Sequence, residues 1–146
     1  MSLGRIFDVA GSAMNAQSVR LNTTASNIAN AESVASSAGE VYKGRHPVFA
    51  ASYQNMLGQN QGFMQSRKSE SAGVDVLGIV ESDAPLQRRY EPNHPLSDDD
   101  GYVYYPNVNV VEEMTNMISA SRSFQMNVEL MNSAKQMMQK VLTLGQ

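Results

Sequence analysis

Two histidines, His46 and His94, are the first candidates for catalysis in this sequence, because imidazole side chains transfer protons near neutral pH. They stand in the segments GRHP and PNHP, where the following proline restrains each histidine to extended or turn backbone. The sequence contains no Gly-x-Ser-x-Gly elbow, no His-Glu-x-x-His pair and no phosphate-binding glycine loop. We therefore interpret both histidines as turn or packing residues and predict no enzymatic activity. A hydrolase using His94 and the aspartates at 98–100 would need a nucleophile and a closed pocket, and the sequence marks neither.

Two other groups of side chains raise the question of metal binding. The run DDDG at 98–101 places carboxylates beside a glycine turn, and carboxylates are ligands for hard cations. A calcium loop of the EF-hand type, however, needs a ligand where Leu96 stands and a glutamate where Asn107 stands. The methionines between Met114 and Met138 have the thioether sulfurs that soft metals prefer, but their helical spacing favours flexible packing. We predict a solvated turn and a packing surface, with no metal and no cofactor.

Composition and charge argue against several classes of function. The chain has 146 residues, a formal net charge of −3 and a sequence pI of about 5.3, so it lacks the basic surface on which nucleic-acid binding depends. It has no cysteine, which removes disulfides and thiolate chemistry. The basic pairs at 67–68 and 88–89 have acidic neighbours, and we interpret them as solvated or intersubunit contacts. No apolar run is long enough for a membrane span and residues 1–7 do not resemble a secretory signal peptide, so membrane insertion is not expected.

Proline and glycine divide the chain into three parts. All five prolines lie between Pro47 and Pro106, whereas segments 12–38 and 107–144 contain neither proline nor glycine. Since both residues destabilise helix interiors, we predict two long helical arms around a middle of strands and loops. The expected fold is α+β and mainly helical, with an N-terminal helical arm at 1–38, a small β-rich domain at 39–106 and a C-terminal helical arm at 107–146. Within the middle, strands are predicted over 74–80 and 102–105, and an exposed flexible loop over 51–73.

Both arms carry residues that repeat in alternating steps of four and three, which is the heptad pattern of a coiled coil. The seam of the first arm includes polar residues such as Gln17 and Thr24, so it needs a partner helix. The second arm would extend about 50 Å, longer than a compact domain of this size covers, and it has further apolar residues outside its seam. We therefore predict that the arms pack as a coiled coil and that other chains bury the excess. The predicted assembly seam comprises Phe7, Met14, Leu21, Ile28, Met114, Met117, Phe124, Val128, Met131, Met138 and Leu142.

Several segments, covering both ends and about half of the middle, resemble one protein family. The stretch NTTASNIANA at 22–31 resembles the Asn-x-Ala-Asn signature that flagellar rod and hook proteins share near their first helix. The segments YEPNHP at 90–95, DGYV at 100–103 and PNVN at 106–109 are similar, in order and spacing, to the proximal-rod type of flagellar basal-body rod protein, as is the last arm from residue 113 onward. The residues that carry the resemblance are Asn27, Ala29, Asn30, Tyr90, Pro92, His94, Pro95, Gly101, Tyr102, Val103, Pro106, Asn107 and Val108.

The resemblance implies a structural subunit of the flagellar basal-body rod, which transmits torque and encloses an export channel. It implies terminal helices packed as coiled coils in an inner tube, with the β-rich middle lying outside. It also implies partners, namely further copies of the chain, other rod proteins, membrane-ring and adaptor proteins of the basal body, and the flagellar type III export apparatus. Such a subunit would lie in a rod that spans the periplasm and would be exported without a cleaved signal peptide. No nucleic acid, small-molecule substrate or cofactor is implied.

A soluble coiled-coil adaptor, or an export chaperone of a secretion system, is the alternative hypothesis. The two hypotheses differ in the state of the arms in the isolated chain. An adaptor would have helical arms as a monomer or dimer, whereas a rod subunit would order its arms only on assembly.

Overall fold

The computed structural model describes residues 3–52 and 73–144. In chain order, the elements are helix α1 (Leu3–Ala29), strands β1 (Arg45–Ser52), β2 (Gly73–Glu81), β3 (Gln87–Tyr90) and β4 (Tyr102–Tyr105), and helix α2 (Val110–Leu144). The expected α+β class, with a helix toward each end and the strands between them, is confirmed.

The helices begin and end where local hydrogen bonds satisfy their backbone groups. The Asn109 side chain caps α2, since its Oδ1 accepts a hydrogen bond from the Val111 backbone N–H at 3.1 Å. Glu112 and Glu113 follow in the first turn, where carboxylates interact favourably with the helix dipole. Helix α1 ends at Ala29, and residues 30–38 form turns and a single bridge between Ala35 and Tyr104.

The two helices pack against each other in antiparallel directions. Near the end of α1, Asn27 bonds to Glu113 at the start of α2, and farther back Arg20 bonds to Asn116. Among the described side chains of the two helices, the buried ones are small or polar. They are Ala10, Ala16, Thr23, Thr24 and Asn27 on α1, and Glu113, Ala120 and Ala134 on α2. Because hydrophobic stabilisation scales with the apolar area removed from water, this stripe of small residues stabilises the pair only weakly.

Helix α2 is longer than its partner. Its 35 residues correspond to about 52 Å of helix, against about 40 Å for the 27 residues of α1. Beyond the buried Ala134, every side chain that the structure describes, from residue 135 to residue 143, is exposed. The C-terminal end of α2 therefore has no cover from α1.

The strands form two antiparallel pairs in the described part of the chain. Strand β1 pairs with β2 from Arg45 opposite Glu81 to Ser52 opposite Gly73, and β3 pairs with β4. The register of the first pair shifts after Val48, so that Leu77 on β2 has no partner and forms a bulge. The predicted strand at 74–80 lies within β2, and the one at 102–105 coincides with β4.

The β1–β2 pair lies along α1 and is held at two points. At one point Asn27 bonds to the backbone of Arg45, and at the other Ser12 accepts a hydrogen bond from the Val74 backbone N–H at 3.1 Å.

Strands β1 and β3 were not among the expected elements, because β1 contains Pro47 and β3 reads QRRY, with a single residue of strong β propensity. At the edges of the expected loop, 51–52 and 73 belong to strands, and 53–72 lie outside the described residues.

Gly101 provides a test of the β3–β4 connection. Its φ of +79° lies in the left-handed region, and an added Cβ would stand 2.9 Å from Cε2 of Tyr90. We expect Gly101→Ala to strain this connection by about 1–3 kcal/mol. Local opening then increases by about tenfold, and trypsin should cleave after Arg88 and Arg89 correspondingly faster. Gly39→Ala is the matched control, since nothing lies within 4 Å of its added Cβ. Equal cleavage rates in the two variants would contradict this account of the turn.

Candidate assembly interface

Asn27, one of the residues that carry the family resemblance, forms the centre of a buried hydrogen-bond network and is 1% exposed. Its Oδ1 accepts hydrogen bonds from the backbone N–H of Arg45 at 2.9 Å and from the hydroxyl of Tyr42 at 2.9 Å. Its amide donates to the Arg45 carbonyl at 2.8 Å and to the Glu113 carboxylate at 2.9 Å. All four hydrogen-bonding positions of the side chain are therefore occupied. One side chain joins α1 to the start of β1 and to the first turn of α2.

Glu113 is the charged member of this network and is only 4% exposed. Removing a carboxylate from water is costly unless it is hydrogen-bonded, and the Asn27 amide supplies a donor. The position of Glu113 in the first turn of α2 adds a favourable interaction with the helix dipole. Sequence reasoning did not single out this glutamate. The available signal was its position seven residues before the small Ala120, which puts a carboxylate on the face that α1 covers.

Asn107 joins the middle of the chain to the start of α2 in a similar way. Its Oδ1 accepts a hydrogen bond from the backbone N–H of Gly44 at 2.8 Å. Its amide donates to the carbonyls of Ser82 at 3.1 Å and Ala84 at 2.8 Å. The segments before β1, after β2 and before α2 thus meet at one side chain. Asparagine suits both positions, because one amide both donates to carbonyls and accepts from backbone N–H groups.

The other residues of the family resemblance lie at the end of α1 and around β3 and β4. Asn30 donates to the Ser26 carbonyl at 2.8 Å, just beyond the last helical residue, Ala29. Val103 and Pro106 are fully buried, and Val108 is half-buried beside Gly44. Tyr90, Pro92 and Pro95 are exposed, while His94, Gly101 and Tyr102 are half-buried.

Neither histidine meets a catalytic partner in the described part of the chain. His46 is exposed on β1 opposite Val80. His94 lies in a turn in which its Nδ1 accepts a hydrogen bond from the Leu96 backbone N–H at 3.1 Å.

The run at 98–101 forms a closed turn, with the Gly101 N–H bonded to the Asp98 carbonyl at 2.8 Å. Among residues 3–52 and 73–144, no group of three His, Cys, Asp or Glu side chains is arranged to hold a metal ion.

The pKa of Tyr105 is shifted from its ordinary value by its surroundings. Its hydroxyl donates to the Glu91 carboxylate at 3.2 Å. Desolvation first, and the Glu91 carboxylate second, raise the pKa of Tyr105, while Arg89 acts in the opposite direction. The phenol therefore stays neutral and continues to donate this hydrogen bond at physiological pH.

The predicted seam residues lie beside the buried stripe of the helix pair. On α2, the buried Glu113, Ala120 and Ala134 each come one position before the seam positions 114, 121 and 135. The half-buried seam residues are Phe7, Met14, Leu21 and Ile28 on α1, and Met117, Phe124, Val128 and Met131 on α2. The exposed seam residues are Met114, Met138 and Leu142. Pairing within one chain thus uses the small side chains and leaves the larger ones partly open.

The exposed large apolar side chains of α2 lie at several angles around the helix, and together we call them the outer surface of α2. It comprises Val111, Met114, Ile118, Met126, Leu130, Met137, Met138, Val141 and Leu142. So many large apolar side chains exposed along one helix favour contact with another protein. No helix of the described residues combines the length and the apolar character of a membrane span.

The Asn27 network predicts a specific effect of one isosteric change. Asn27→Asp keeps the shape of the side chain but loses both donors and sets a second carboxylate beside Glu113. Unpaired buried polar groups cost about 1–3 kcal/mol each, so the network should open. The backbone N–H of Arg45 donates a hydrogen bond to Asn27 Oδ1. We expect this amide hydrogen to exchange with solvent at least about a hundredfold faster in the variant.

Asn22→Asp is the control for this measurement, because Asn22 is exposed on the same helix. It makes the same chemical change without touching the network. Unchanged exchange of the Arg45 amide in Asn27→Asp would show that the network does not hold β1.

Comparison with known proteins shows which family the chain resembles in sequence. Residues 7–35 match the model of the flagella basal body rod protein family, and residues 99–144 match the model of the flagellar basal body rod FlgEFG protein C-terminal region. The flagellar basal-body rod protein FlgC of Salmonella typhimurium is 49% identical over 146 residues, all of both chains. FlgC of Escherichia coli O6:H1 is 48% identical, and FlgC of Buchnera aphidicola subsp. Schizaphis graminum is 42% identical, each over the full length of both chains. With this identity over its whole length, the chain belongs to the FlgC family of flagellar basal-body rod proteins.

Proposed function

We propose that this chain, a structural rod subunit by its family, assembles through its terminal helices into a tubular axial structure that transmits torque and encloses the export channel. The observation that carries the proposal is the outer surface of α2, where large apolar side chains are exposed while the small ones face α1. Neighbouring subunits bury this surface in the assembled rod. Because burial of apolar area is the main source of association energy, assembly stabilises what a single chain leaves exposed.

In the rod, the seam residues of α1 and α2 pack as a coiled coil with helices of neighbouring subunits. Met117, Phe124 and Met131 support this proposal, since they lie seven residues apart and are half-buried at the border of the stripe that α1 covers. A neighbouring helix would complete their burial. The end of α2 beyond Ala134 supports the same conclusion, because α1 is too short to cover it.

The three parts of the chain have different places in the proposed assembly. The arms at 1–38 and 107–146 form the inner layer, and the middle at 39–106 lies outside. The partners are further copies of the chain, other rod proteins, the membrane-ring and adaptor proteins of the basal body, and the type III export apparatus. The subunit is exported without a cleaved signal peptide into a rod that spans the periplasm. This role requires neither catalysis nor a cofactor.

The seam assignment is tested by Phe124→Asp. Burial of a phenylalanine contributes about 1.5–3 kcal/mol, and a carboxylate in an apolar seam adds a desolvation cost. We expect the variant to be exported in normal amounts and to enter the rod at least about tenfold less. The measurement compares the variant in the periplasm and medium with the variant in purified basal bodies.

Gln125→Asp is the control, because Gln125 is exposed on the neighbouring position of the same helix. It introduces the same carboxylate outside the predicted seam. Normal incorporation of Phe124→Asp would refute the seam, and equal loss of both variants would show a general intolerance of added charge in α2.

Amide hydrogen exchange distinguishes the rod subunit from an adaptor or export chaperone. In a dilute solution of the purified chain, we expect the amides of residues 135–143 to exchange rapidly, because all side chains in this part of α2 are exposed. In isolated basal bodies the same amides should be protected. Strong protection of these amides in the dilute chain would favour the adaptor, whose arms are ordered without a rod.

A further inference from the structure

One face of the β3–β4 pair carries three tyrosines and one arginine. Arg88 lies opposite Tyr104, and Tyr90 lies opposite Tyr102, so the four side chains point to the same side of the sheet. The guanidinium carbon of Arg88 stands 3.8 Å from the centre of the Tyr102 ring, and Tyr90 packs edge-on against the same ring with 5.2 Å between centroids. We call these four residues the arginine–tyrosine face. Arginine and tyrosine are among the residues most enriched at the energetic centres of protein interfaces.

Arg88 is held in position by stacking and has no charged partner among the described residues. Its N–H donors lie in the plane of the guanidinium group, and stacking on a ring leaves these donors free. In the described part of the chain, no carboxylate lies within ion-pair distance of Arg88 and none of its donors is hydrogen-bonded. Arg45, by contrast, pairs with Glu81 at 3.2 Å. A stacked arginine has already lost much of its conformational freedom, so binding a carboxylate costs it little further entropy.

The connection between the same two strands carries exposed carboxylates. Asp98, Asp99 and Asp100 are exposed. Hydrogen bonds fix this turn, since Asp98 Oδ1 accepts from the Asp99 N–H at 2.8 Å and the Asp98 N–H bonds to the Tyr102 carbonyl at 2.8 Å. Within residues 3–52 and 73–144, the Asp99 and Asp100 carboxylates have no ion-pair partner. We call residues 98–100 the aspartate turn.

We propose that the arginine–tyrosine face of one subunit binds the aspartate turn of a second copy of this chain. The two surfaces are opposite in charge, stacking and hydrogen bonds hold their side chains in place, and neither has an ion-pair partner among residues 3–52 and 73–144. Although both belong to one small sheet, no ion pair joins Arg88 to the aspartate turn within the described part of the chain. A contact between unlike surfaces of identical chains is head-to-tail, and repeated head-to-tail contacts produce a ring or a helical array. The inference rests on the proposed assembly of copies and adds a specific contact to it.

Exchange of the charges tests the contact. Arg88→Glu alone, and Asp99→Arg with Asp100→Arg, should each be exported normally but enter the basal body about tenfold less, because like charges then face each other. A chain that carries all three substitutions restores opposite charges and should return to within about twofold of the unsubstituted chain. Lys43→Glu, in an exposed segment outside both surfaces, is the charge-reversal control and should be incorporated normally.

The combined chain separates this contact from a purely structural role of Arg88. Loss of the stacking on Tyr102 would damage the sheet, and arginines at 99 and 100 do not repair that damage. Absence of rescue in the combined chain therefore overturns the proposal. Normal incorporation of either charge-reversed variant also overturns it, since the second copy is then not the partner. Either result leaves the Phe124 experiment, and with it the proposed rod function, unaffected.

The absence of native cysteines allows the contact to be observed directly. With Tyr104→Cys, on the arginine–tyrosine face, and Ser97→Cys, beside the aspartate turn, in one chain, Arg88, Asp99 and Asp100 stay in place. Mild oxidation of basal bodies should then join neighbouring copies into a ladder of dimers and higher multimers. Recovery of only monomeric chain under these conditions overturns the proposal.

Discussion

The side chain of Asn27 is the interaction on which the rest of the structure depends. The helix pair buries mainly small residues, so apolar area alone stabilises it weakly. The position of the β1–β2 pair along α1 is likewise set by a few hydrogen bonds. Asn27 is where these constraints meet, because its amide binds the backbone of Arg45 and the carboxylate of Glu113. Replacing the amide of Asn27 would leave polar groups of α1, β1 and α2 without hydrogen-bond partners. Each unpaired buried polar group lowers the free energy of unfolding.

The distribution of side-chain size on α2 connects the fold to assembly. Alanines at 120 and 134 allow α1 to approach closely, while Met126, Leu130 and Met137 remain exposed. In a protein that acts alone, this arrangement would waste apolar surface and favour aggregation. In the proposed assembly, the small stripe sets the shape of one chain, and the large side chains would contact neighbouring subunits. Polar hydrogen bonds then supply the specificity that weak apolar packing within the chain lacks.

The sequence predicted the elements more reliably than their contacts. Segregation of proline and glycine predicted a helix near each end, and β-branched and aromatic residues located β2 and β4. The first helix is shorter than the expected arm at 1–38, since α1 ends at Ala29 and residues 30–38 form turns and a single bridge. Strand β3 was not predicted from the sequence. Its stability comes from pairing with β4 and from stacking of Arg88 on Tyr102, and both contacts join residues far apart in the chain. The buried stripe of α2 was also not predicted, because heptad spacing fits residues 113 and 114 equally well and only the position of α1 decides between them. Asn27 was named from its family motif, but its partners lie 15 to 86 residues away along the chain, beyond any local pattern.

Determination of the assembled rod by electron cryomicroscopy would test the central claim most directly. The account predicts that, within each subunit of the rod, the Asn27 amide remains bonded to the Arg45 backbone and the Glu113 carboxylate, while helices of neighbouring subunits cover Met126, Leu130 and Met137. A rod in which α1 and α2 of one chain separate, with Asn27 exposed or bonded to another subunit, would contradict it.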